Sequence, residues 1–241
     1  MKTVGIIPAR WGSTRFEGKV LADIHGKPML QHVWERAKAC ERLNDLIIAC
    51  DDERIMAAAE QFQAKAVMTS KEHPSGTDRV AEVLDTVSAD IVVNIQGDEP
   101  LIAPEVIDAL ALALEGDPAC SIATMIKVIA QDKELKNPNI VKVVIDGEQN
   151  ALYFSRSAIP YNRGQDDEVI YYKHLGIYAY RREFLLAYKN LPKSNLEKSE
   201  QLEQLRALEF GYKIKTVLTE HETVGVDTPE DLNRVIQFLS K

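Results

Sequence analysis

The residues near the start of the chain that could do chemistry are the cations Arg10, Arg15 and Lys19. They lie in a polar, glycine-containing loop that follows the apolar residues 4–7, in the segment VGIIPARWGSTRFEGK. An apolar run that ends in such a loop is typical of α/β proteins, where backbone N–H groups and cationic side chains bind a polyphosphate. The loop therefore predicts a phosphate-binding site.

This loop differs from the two best-known phosphate-binding motifs. A Walker loop has four residues between its glycines and Ser or Thr after its lysine. Here five residues separate Gly12 from Gly18, and Val20 follows Lys19. The dinucleotide-binding motif is excluded as well, because no third glycine stands at the required offset. The segment is a phosphate loop of a third kind.

Two aspartates complement these cations. Asp98 lies in QGDEP and Asp227 in GVDTPED, each beside a predicted tight turn. Two such carboxylates could share a hard cation, and Mg²⁺ is commonly bound by one or two carboxylates together with waters and phosphate oxygens. Taken singly, each aspartate is also a candidate turn or cap residue. Together with the cationic loop they predict a phosphoryl or nucleotidyl transfer site.

Alternating strands and helices must position these residues. Apolar runs at 4–7, 46–50 and 66–68 alternate with helix-period segments at 28–40 and 52–62, which predicts βαβ winding. A predicted helix at 77–87 and strand at 91–95 follow, and that strand ends in Gln96, Gly97 and Asp98. The later part is strand-rich at 122–129, 141–146, 151–156 and 169–180, with helices predicted at 195–210 and 228–239. Ligands of open α/β sheets bind at such strand ends.

The composition is that of an ordinary soluble domain. The chain has 241 residues, of which 45% are hydrophobic and 27% charged, so a single folded unit is expected. A net charge of -8 argues against broad binding to nucleic acid or an anionic membrane and favours small-molecule partners. Three cysteines without a CxxC pair indicate reduced thiols, and no apolar segment approaches the roughly 20 residues that span a bilayer. The N-terminal apolar run meets Arg10 too early for a signal peptide, so a cytoplasmic location is expected.

Seven segments, in order along nearly the whole chain, resemble one enzyme family. They are IPARWGSTRFEGK, HPSGTDR, NIQGDEP, ALYFSRSAIPY, KHLGIYAYR, LEQLRALE and GVDTPEDL. The family is the cytidylyltransferases that activate 3-deoxy-manno-octulosonate (Kdo). The resemblance implies magnesium-dependent transfer of CMP from CTP to Kdo with release of pyrophosphate, for lipopolysaccharide or capsule synthesis.

The resemblance also implies the fold and the assembly. We expect an α/β, Rossmann-like, mixed and mostly parallel sheet flanked by helices, in a homodimer. Residues 1–241 would form one nucleotidyltransferase domain. Within it, residues 1–120 would mainly bind CTP, residues 121–225 would serve acceptor binding and dimerisation, and residues 226–241 would form a closing helix.

On the nucleotide side, the resemblance assigns Arg10 and Lys19 to the CTP phosphates, with Ser13 and Arg15 supporting the loop. The catalytic set would be Arg10, Lys19, Asp98 and Asp227, the last two holding Mg²⁺. The other nucleotide-binding residues implied by the family are Ala9, Ser75, Gly76 and Arg79. From the residues alone, Arg15 could equally form a surface ion pair, and SGTD reads as a turn and helix N-cap.

On the acceptor side, a keto sugar acid presents a carboxylate and many hydroxyls. Arginine binds a planar carboxylate in a bidentate manner. The matching family positions are Arg156, His174 and Gln204. Glu203 and Gln96 are expected as further contacts with the sugar hydroxyls. Without the resemblance, a lone histidine on a strand such as His174 reads as a packed or surface residue.

The phosphate loop departs from the family pattern Leu-Pro-Gly-Lys-Pro at Phe16, Glu17 and Val20. The two missing prolines remove restraints on φ, which predicts a more mobile loop before CTP binds. Glu17 also brings an anion close to the phosphate site, which weakens triphosphate binding unless Glu17 faces solvent or pairs with a cation. Two alternatives stay open: a transferase for another sugar acid, such as 8-amino-Kdo or sialic acid, and a catalytically silent nucleotide-binding protein.

Overall fold

A central mixed sheet with helices packed on it forms the fold. The computed structural model describes residues 1–13, 15–73, 75–164 and 169–240. Thr14 and Pro74 of the predicted loop motifs, and Lys241 at the end of the predicted closing helix, lie outside the described residues.

The strands are β1 (Thr3–Ala9), β2 (Asp23–Ile24), β3 (Lys27–Pro28), β4 (Asp45–Cys50), β5 (Lys65–Met68), β6 (Ile91–Asn94), β7 (Ile122–Val128), β8 (Lys142–Ile145), β9 (Ala151–Ser155), β10 (Tyr172–Arg181) and β11 (Ile214–Leu218). The helices are α1 (Met29–Lys38), α2 (Glu53–Gln61), α3 (Gly76–Val83), α4 (Pro104–Gly116), α5 (Asp132–Lys136), α6 (Arg182–Tyr188), α7 (Asn195–Glu200), α8 (Gln204–Glu209) and α9 (Pro229–Leu239), with a 3-10 turn at Lys19–Leu21.

Strand order in the main sheet is β11-β7-β10-β6-β1-β4-β5, and the β8–β9 hairpin joins it at β10. Strands β6, β1, β4 and β5 are parallel neighbours, as are β11 and β7, whereas β10 runs antiparallel to β6 and β7. The predicted α/β, Rossmann-like sheet is confirmed. Because the chain winds outward in both directions from β1, the β1 and β6 ends form a crevice of the kind that binds ligands.

Gly97 permits the close approach of two chain segments at this crevice. A Cβ atom at Gly97 would lie 2.8 Å from the Pro8 carbonyl oxygen, a distance that real Cβ atoms do not reach. The loop after β6 can therefore cross the end of β1 only with glycine at this position. This crossing brings Asp98 next to the phosphate loop.

Apolar side chains fill both faces of the sheet. One cluster packs α1, α2 and α4 on it, with Leu30, Ile55 and Leu110 fully buried, and a second packs α3, α6 and α8 on the opposite face. A third, small cluster joins the start of α1 to α9 and includes Phe16 of the phosphate loop. No helix in the described ranges combines the length and apolar character needed to cross a bilayer.

Helix ends follow local sequence signals in several places. Thr228 and Asp231 form the predicted capping box of α9.

The prediction of a single helix at 195–210 is wrong. Gln201 adopts a left-handed backbone conformation with φ 54° and divides this segment into α7 and α8. The break places residues 201–204 on a corner that faces the sheet. The helical pattern alone did not reveal it.

A buried ion pair holds the two short helices together. The Arg206 guanidinium donates to both Glu197 carboxylate oxygens, at 2.7 and 2.5 Å, and the two side chains are 12% and 7% exposed. Breaking such a pair leaves a buried charge without its partner. The pair therefore fixes the corner that carries Glu203 and Gln204.

We predict that Glu197→Gln lowers the free energy of unfolding by about 3 kcal/mol, the lower end of the range for a broken buried pair. Denaturant unfolding measures it, with Lys198→Gln as the control, since Lys198 is exposed on the same helix. Equal unfolding midpoints for the two variants would contradict this role for Glu197.

Candidate active site

A polar cavity of about 350 Å³ opens where β1 and β6 end. It gathers most of the residues that the sequence predicted for the nucleotide side, from segments far apart in the chain. Its lining is Pro8, Arg10, Lys19, Val20, His73, Ser75, Gly76, Arg79, Gln96, Gly97, Asp98, Glu203 and Asp227. We call it the polar cavity below.

Lys19 lies between the two predicted metal carboxylates. Its Nζ is 2.6 Å from Asp98 Oδ2 and 2.9 Å from Asp227 Oδ1, and it donates to the Val226 carbonyl at 2.9 Å. Burial lowers the pKa of Lys19, but the hydrogen bonds and charges of Asp98 and Asp227 outweigh that effect and raise it overall. Lys19 therefore stays charged as an ammonium, and the two carboxylates converge on it.

The other two cations of the phosphate loop, Arg10 and Arg15, lie at the rim of the polar cavity. Arg10 is exposed at the end of β1, and Arg15 pairs with Asp227 at 3.0 Å, with both side chains largely exposed. Arg15 thus forms the surface ion pair that was one of its two alternatives. Ser13 Oγ accepts from the Phe16 N–H at 3.4 Å within the loop, and Ala9 is buried in the apolar cluster at the end of β1.

Ser75 both caps a helix and lines the cavity. Its hydroxyl accepts from the Asp78 N–H at 3.2 Å and donates to the Asp78 carboxylate at 2.7 Å, so the N-cap interpretation of SGTD is correct. Gly76 lies against Pro8, where an added Cβ would make an ordinary contact at 3.5 Å. Capping and cavity lining are compatible, because the first turn of α3 faces the crevice.

Arg79 lines the polar cavity, although its side chain is almost fully buried. Its guanidinium donates to Asp51 Oδ2 at 2.9 Å and to the Thr69 hydroxyl. Asp51 Oδ1 in turn accepts the Trp11 N–H at 2.9 Å. Arg79 therefore joins α3 to the start of the phosphate loop.

A second, more aromatic cavity of about 230 Å³ adjoins the first. We call it the aromatic cavity. Its lining is Thr77, Ile122, Tyr178, Tyr180, Phe184, Tyr188, Gln201, Leu202, Glu203, Gln204 and Ala207. Glu203 lines both cavities and so lies at their junction.

Two side chains that line the aromatic cavity are available for polar contacts with a ligand. Gln204 is 9% exposed, and its Nε2 is buried without a hydrogen-bond partner. Burial, with the Asp78 charge adding to it, raises the pKa of Glu203. An unpaired buried amide costs about 1–3 kcal/mol, a cost that a bound hydroxyl or carboxylate would remove.

The sequence prediction missed the tyrosines of this cavity. Tyr178 and Tyr180 stack with centroids 5.6 Å apart, and the Tyr188 hydroxyl donates to the Glu203 carbonyl at 2.9 Å. Burial raises the pKa of all three phenols, so their hydroxyls are neutral. The available signal was the alternation Tyr178, Tyr180 on a strand, which places both on one face of the sheet.

His174 lies beneath this aromatic wall rather than among the residues lining it. Its Nε2 is 2.9 Å from the Thr124 hydroxyl, and its ring packs between Phe154 and Tyr178 at centroid distances of 5.0 and 5.4 Å. Burial lowers its pKa from 6.5 to about 3, so the imidazole is neutral. The structure agrees with the packed-residue interpretation of His174, and its predicted contact with the acceptor stays a prediction.

Arg156 also lies outside both lining sets. Its Nε donates to the Glu200 carbonyl at 2.8 Å and its Nη1 to the Pro138 carbonyl at 3.0 Å. The guanidinium is thus engaged with backbone carbonyls in this conformation. Its predicted contact with a substrate carboxylate stays a prediction. Gln96, by contrast, lines the polar cavity.

The fold, the cationic loop and the paired carboxylates define a nucleotidyltransferase, and the comparisons with known proteins agree. The cytidylyltransferase family model matches residues 4–214. The 3-deoxy-manno-octulosonate cytidylyltransferase of Solibacter usitatus is 55% identical over 97% of this chain and 93% of its own. That of Syntrophus aciditrophicus is 52% identical over 99% of this chain and 97% of its own.

Solved structures give the same result. A CMP:2-keto-3-deoxy-manno-octonic acid synthetase complexed with CTP superposes with a TM-score of 0.96 at 46% identity, covering 100% of this chain and 99% of that one. A cytidylyltransferase from Leptospira borgpetersenii, 17% identical with a TM-score of 0.67, shares the fold over 100% of this chain and 87% of its own. The chain belongs to the cytidylyltransferase family, and within it to the 3-deoxy-manno-octulosonate cytidylyltransferases.

The desolvated imidazole of His174 generates a prediction about acid stability. In the folded protein His174 binds its proton only near pH 3, whereas in the unfolded chain it does so near 6.5. Between these values only the unfolded state is protonated at this group, so stability falls as the pH falls, by about 1.4 kcal/mol per pH unit.

His174→Gln, which keeps a polar group opposite Thr124, should therefore flatten the decline in stability between pH 6.5 and 4. Urea unfolding at several pH values measures the slope, with His221→Gln as the control at an exposed histidine. An unchanged slope in His174→Gln would show that the ring does not stay neutral in the folded protein.

Proposed function

We propose that this chain transfers CMP from CTP to Kdo and releases pyrophosphate. The observation that carries the proposal is the position of Glu203, which lines both cavities. A nucleotide in the polar cavity and a sugar acid in the aromatic cavity would therefore meet at Glu203. Holding two reactants in contact supplies a large part of the rate enhancement of a bimolecular transfer.

The polar cavity suits CTP. Arg10 and Lys19 would bind the triphosphate, with Ser13 and Arg15 supporting the loop, while fixed cations stabilise the charge that grows on the departing pyrophosphate. The base and ribose would lie against Ala9, Ser75, Gly76 and Arg79. The small side chains among these allow close backbone approach to the edge of cytosine.

The aromatic cavity suits the acceptor. Gln204 offers an unpartnered amide, and the tyrosine hydroxyls offer neutral hydrogen-bonding groups to the sugar hydroxyls. Gln96 and Glu203 line the polar cavity, where the nucleotide would bind. Arg156 and His174 complete the proposed acceptor set, His174 by supporting Tyr178 from below.

Magnesium fits the two carboxylates. Asp98 and Asp227 already approach one cation, Lys19 Nζ, at 2.6 and 2.9 Å, and the described residues hold no cluster of three or more metal-ligating side chains. Two carboxylates that leave room for water and phosphate oxygens are the usual protein share of a Mg²⁺ site. When bound there, Mg²⁺ would lower the pKa of the attacking hydroxyl and neutralise phosphate charge.

In the proposed reaction the anomeric hydroxyl oxygen of Kdo forms a bond to the α-phosphorus of CTP. The α–β phosphoanhydride bond breaks, and its electron pair leaves with pyrophosphate. The hydroxyl proton passes to solvent. Arg10 and Lys19 hold the leaving group in line with the attack.

Pyrophosphate release tests this function. The protein is incubated with CTP, Mg²⁺ and, in separate reactions, Kdo, 8-amino-Kdo or sialic acid. We expect stoichiometric pyrophosphate and CMP-sugar with Kdo, and loss of turnover in Asp98→Asn at limiting magnesium. Turnover with another sugar acid alone would reassign the acceptor, and CTP binding without release in any reaction would favour a silent nucleotide-binding protein.

The variant Lys19→Met tests both proposed roles of the Lys19 ammonium, which are to bind the triphosphate and to occupy the place of a metal ion between the two carboxylates. Loss of a charged hydrogen bond to phosphate, worth about 1.5–3 kcal/mol, should lower kcat/KM for CTP by roughly 10- to 100-fold. The nucleotide-free protein should bind Mn²⁺ more tightly than the parent, because the competing ammonium is gone. Calorimetry measures the metal affinity, with Lys133→Met on exposed α5 as the control. Unchanged Mn²⁺ affinity would contradict a shared metal site at Asp98 and Asp227.

We also propose a cytoplasmic homodimer whose product feeds lipopolysaccharide or capsule synthesis. Leu152, Tyr161 and Ile170, within the region expected to dimerise, are 60%, 87% and 58% exposed, and a second copy could cover them. The three buried cysteines are free thiols, as suits a reducing compartment. Light scattering should give twice the chain mass of 27.0 kDa, and cell fractionation should place the protein in the cytoplasm.

A further inference from the structure

We propose that Trp11, Glu17 and Arg54 form a clasp that holds the phosphate loop in the shape that binds the triphosphate, with Glu17 as a positioning residue. The three side chains are called the indole clasp below. The proposal rests on the proposed function in one respect only, namely that the ligand of the loop is CTP.

The side chain of Trp11 is held on its edge and on its face. Its indole Nε1 donates to Glu17 Oε1 at 2.9 Å, and the Arg54 guanidinium carbon lies 3.5 Å from the ring centroid. A guanidinium over an indole face is a favourable cation–π arrangement. Arg54 is itself oriented by Asp52, at 2.7 and 2.8 Å. The clasp therefore connects the loop to the start of α2.

The backbone of Trp11 closes the loop. Its carbonyl accepts the Gly18 N–H at 3.0 Å, so the two ends of the loop are joined next to Arg10 and Lys19. The ring also covers Gly18, where an added Cβ would lie 2.8 Å from a ring carbon and φ is 67°. Ordering a loop before the ligand arrives removes an entropic cost of binding. This closure sets the spacing of the two cations that face the triphosphate.

The clasp also accounts for the anion beside a phosphate site. Glu17 is not among the residues lining the polar cavity, because its carboxylate faces the indole N–H. Its charge also lies close enough to Arg54 to favour the charged guanidinium. The negative charge of Glu17, which was expected from the sequence to repel the triphosphate, is thus turned away from the phosphates. Glu17 would supply through a hydrogen bond the restraint that proline supplies in the family pattern.

The loop is coupled to the nucleotide side through Asp51. One Asp51 oxygen accepts the Trp11 N–H and the other accepts from buried Arg79, each at 2.9 Å. A displaced Trp11 would therefore disturb both the loop and the α3 side of the cavity. Within the described residues, no side chain that lines the aromatic cavity hydrogen-bonds to Trp11, Glu17 or Arg54. Loss of the clasp should thus weaken CTP binding and spare the acceptor.

The test compares Glu17→Ala, Glu17→Gln and Trp11→Phe. Glu17→Ala and Trp11→Phe each remove the same hydrogen bond, so each should raise the Kd for CTP by roughly 3- to 10-fold, as for a loss near 1 kcal/mol. The double variant should be no weaker than the weaker single variant. Glu17→Gln keeps an acceptor and should retain most of the affinity. The KM for Kdo and the thermal midpoint should stay at the parent values.

A second measurement reports the clasp without turnover. The chain has two tryptophans, so Trp34→Phe leaves Trp11 as the sole indole. In that background, Glu17→Ala should raise the accessibility of Trp11 to acrylamide before CTP is added, and saturating CTP should reduce the difference. Calorimetric measurement of CTP affinity distinguishes failure of the clasp from failure of the proposed function. If Glu17→Ala weakens CTP binding but the parent protein transfers no CMP, the proposed function is overturned and the clasp stands. Parent-like CTP affinity in Glu17→Ala, or additive losses in the double variant, would overturn the clasp.

Discussion

The ion pairs of Lys19 are the interaction on which the site depends. One ammonium contacts Asp98 after β6 and Asp227 before α9, and it sits at the end of the loop that follows β1. Three segments separated by long stretches of sequence therefore meet at a single charge. Two carboxylates so close together repel one another unless a cation lies between them. Under the proposed function, a triphosphate that takes Lys19 from the carboxylates would require a replacement cation, which would link nucleotide binding to metal binding.

The second requirement is a junction between two cavities. Glu203 provides it because the chain turns sharply at Gln201 and so presents residues 201–204 toward β10. The buried Arg206–Glu197 pair keeps this corner in place, and the tyrosines of β10 and α6 form the opposite wall. The polar cavity thus presents charged side chains, and the aromatic cavity offers neutral hydrogen-bonding groups. This division matches a triphosphate donor and a polyhydroxylated acceptor.

Much of this arrangement was predictable from the sequence, because it follows from local rules. The apolar strand residues and the capping box of α9 are local, and the Asp98 and Asp227 turns follow from short motifs. The left-handed Gln201, the packing of the His174 ring between Phe154 and Tyr178, and the packing of Phe16 against the third apolar cluster depend on tertiary contacts that the local pattern does not encode. The expectation of a more mobile loop stays a prediction, and it was made without the contacts that the fold supplies: Val20 is 4% exposed, and Glu17 accepts the indole N–H of Trp11.

A crystal structure of the protein with CTP, Mg²⁺ and Kdo would show directly whether Lys19 and the two cavities bind the substrates as proposed. We expect that Lys19 Nζ moves from between Asp98 and Asp227 to a phosphate oxygen. We also expect that the α-phosphorus faces the Kdo anomeric hydroxyl at Glu203, with the sugar in the aromatic cavity. A structure in which Lys19 still bridges both carboxylates with the triphosphate outside the polar cavity, or in which Kdo occupies another cavity, would contradict this proposal.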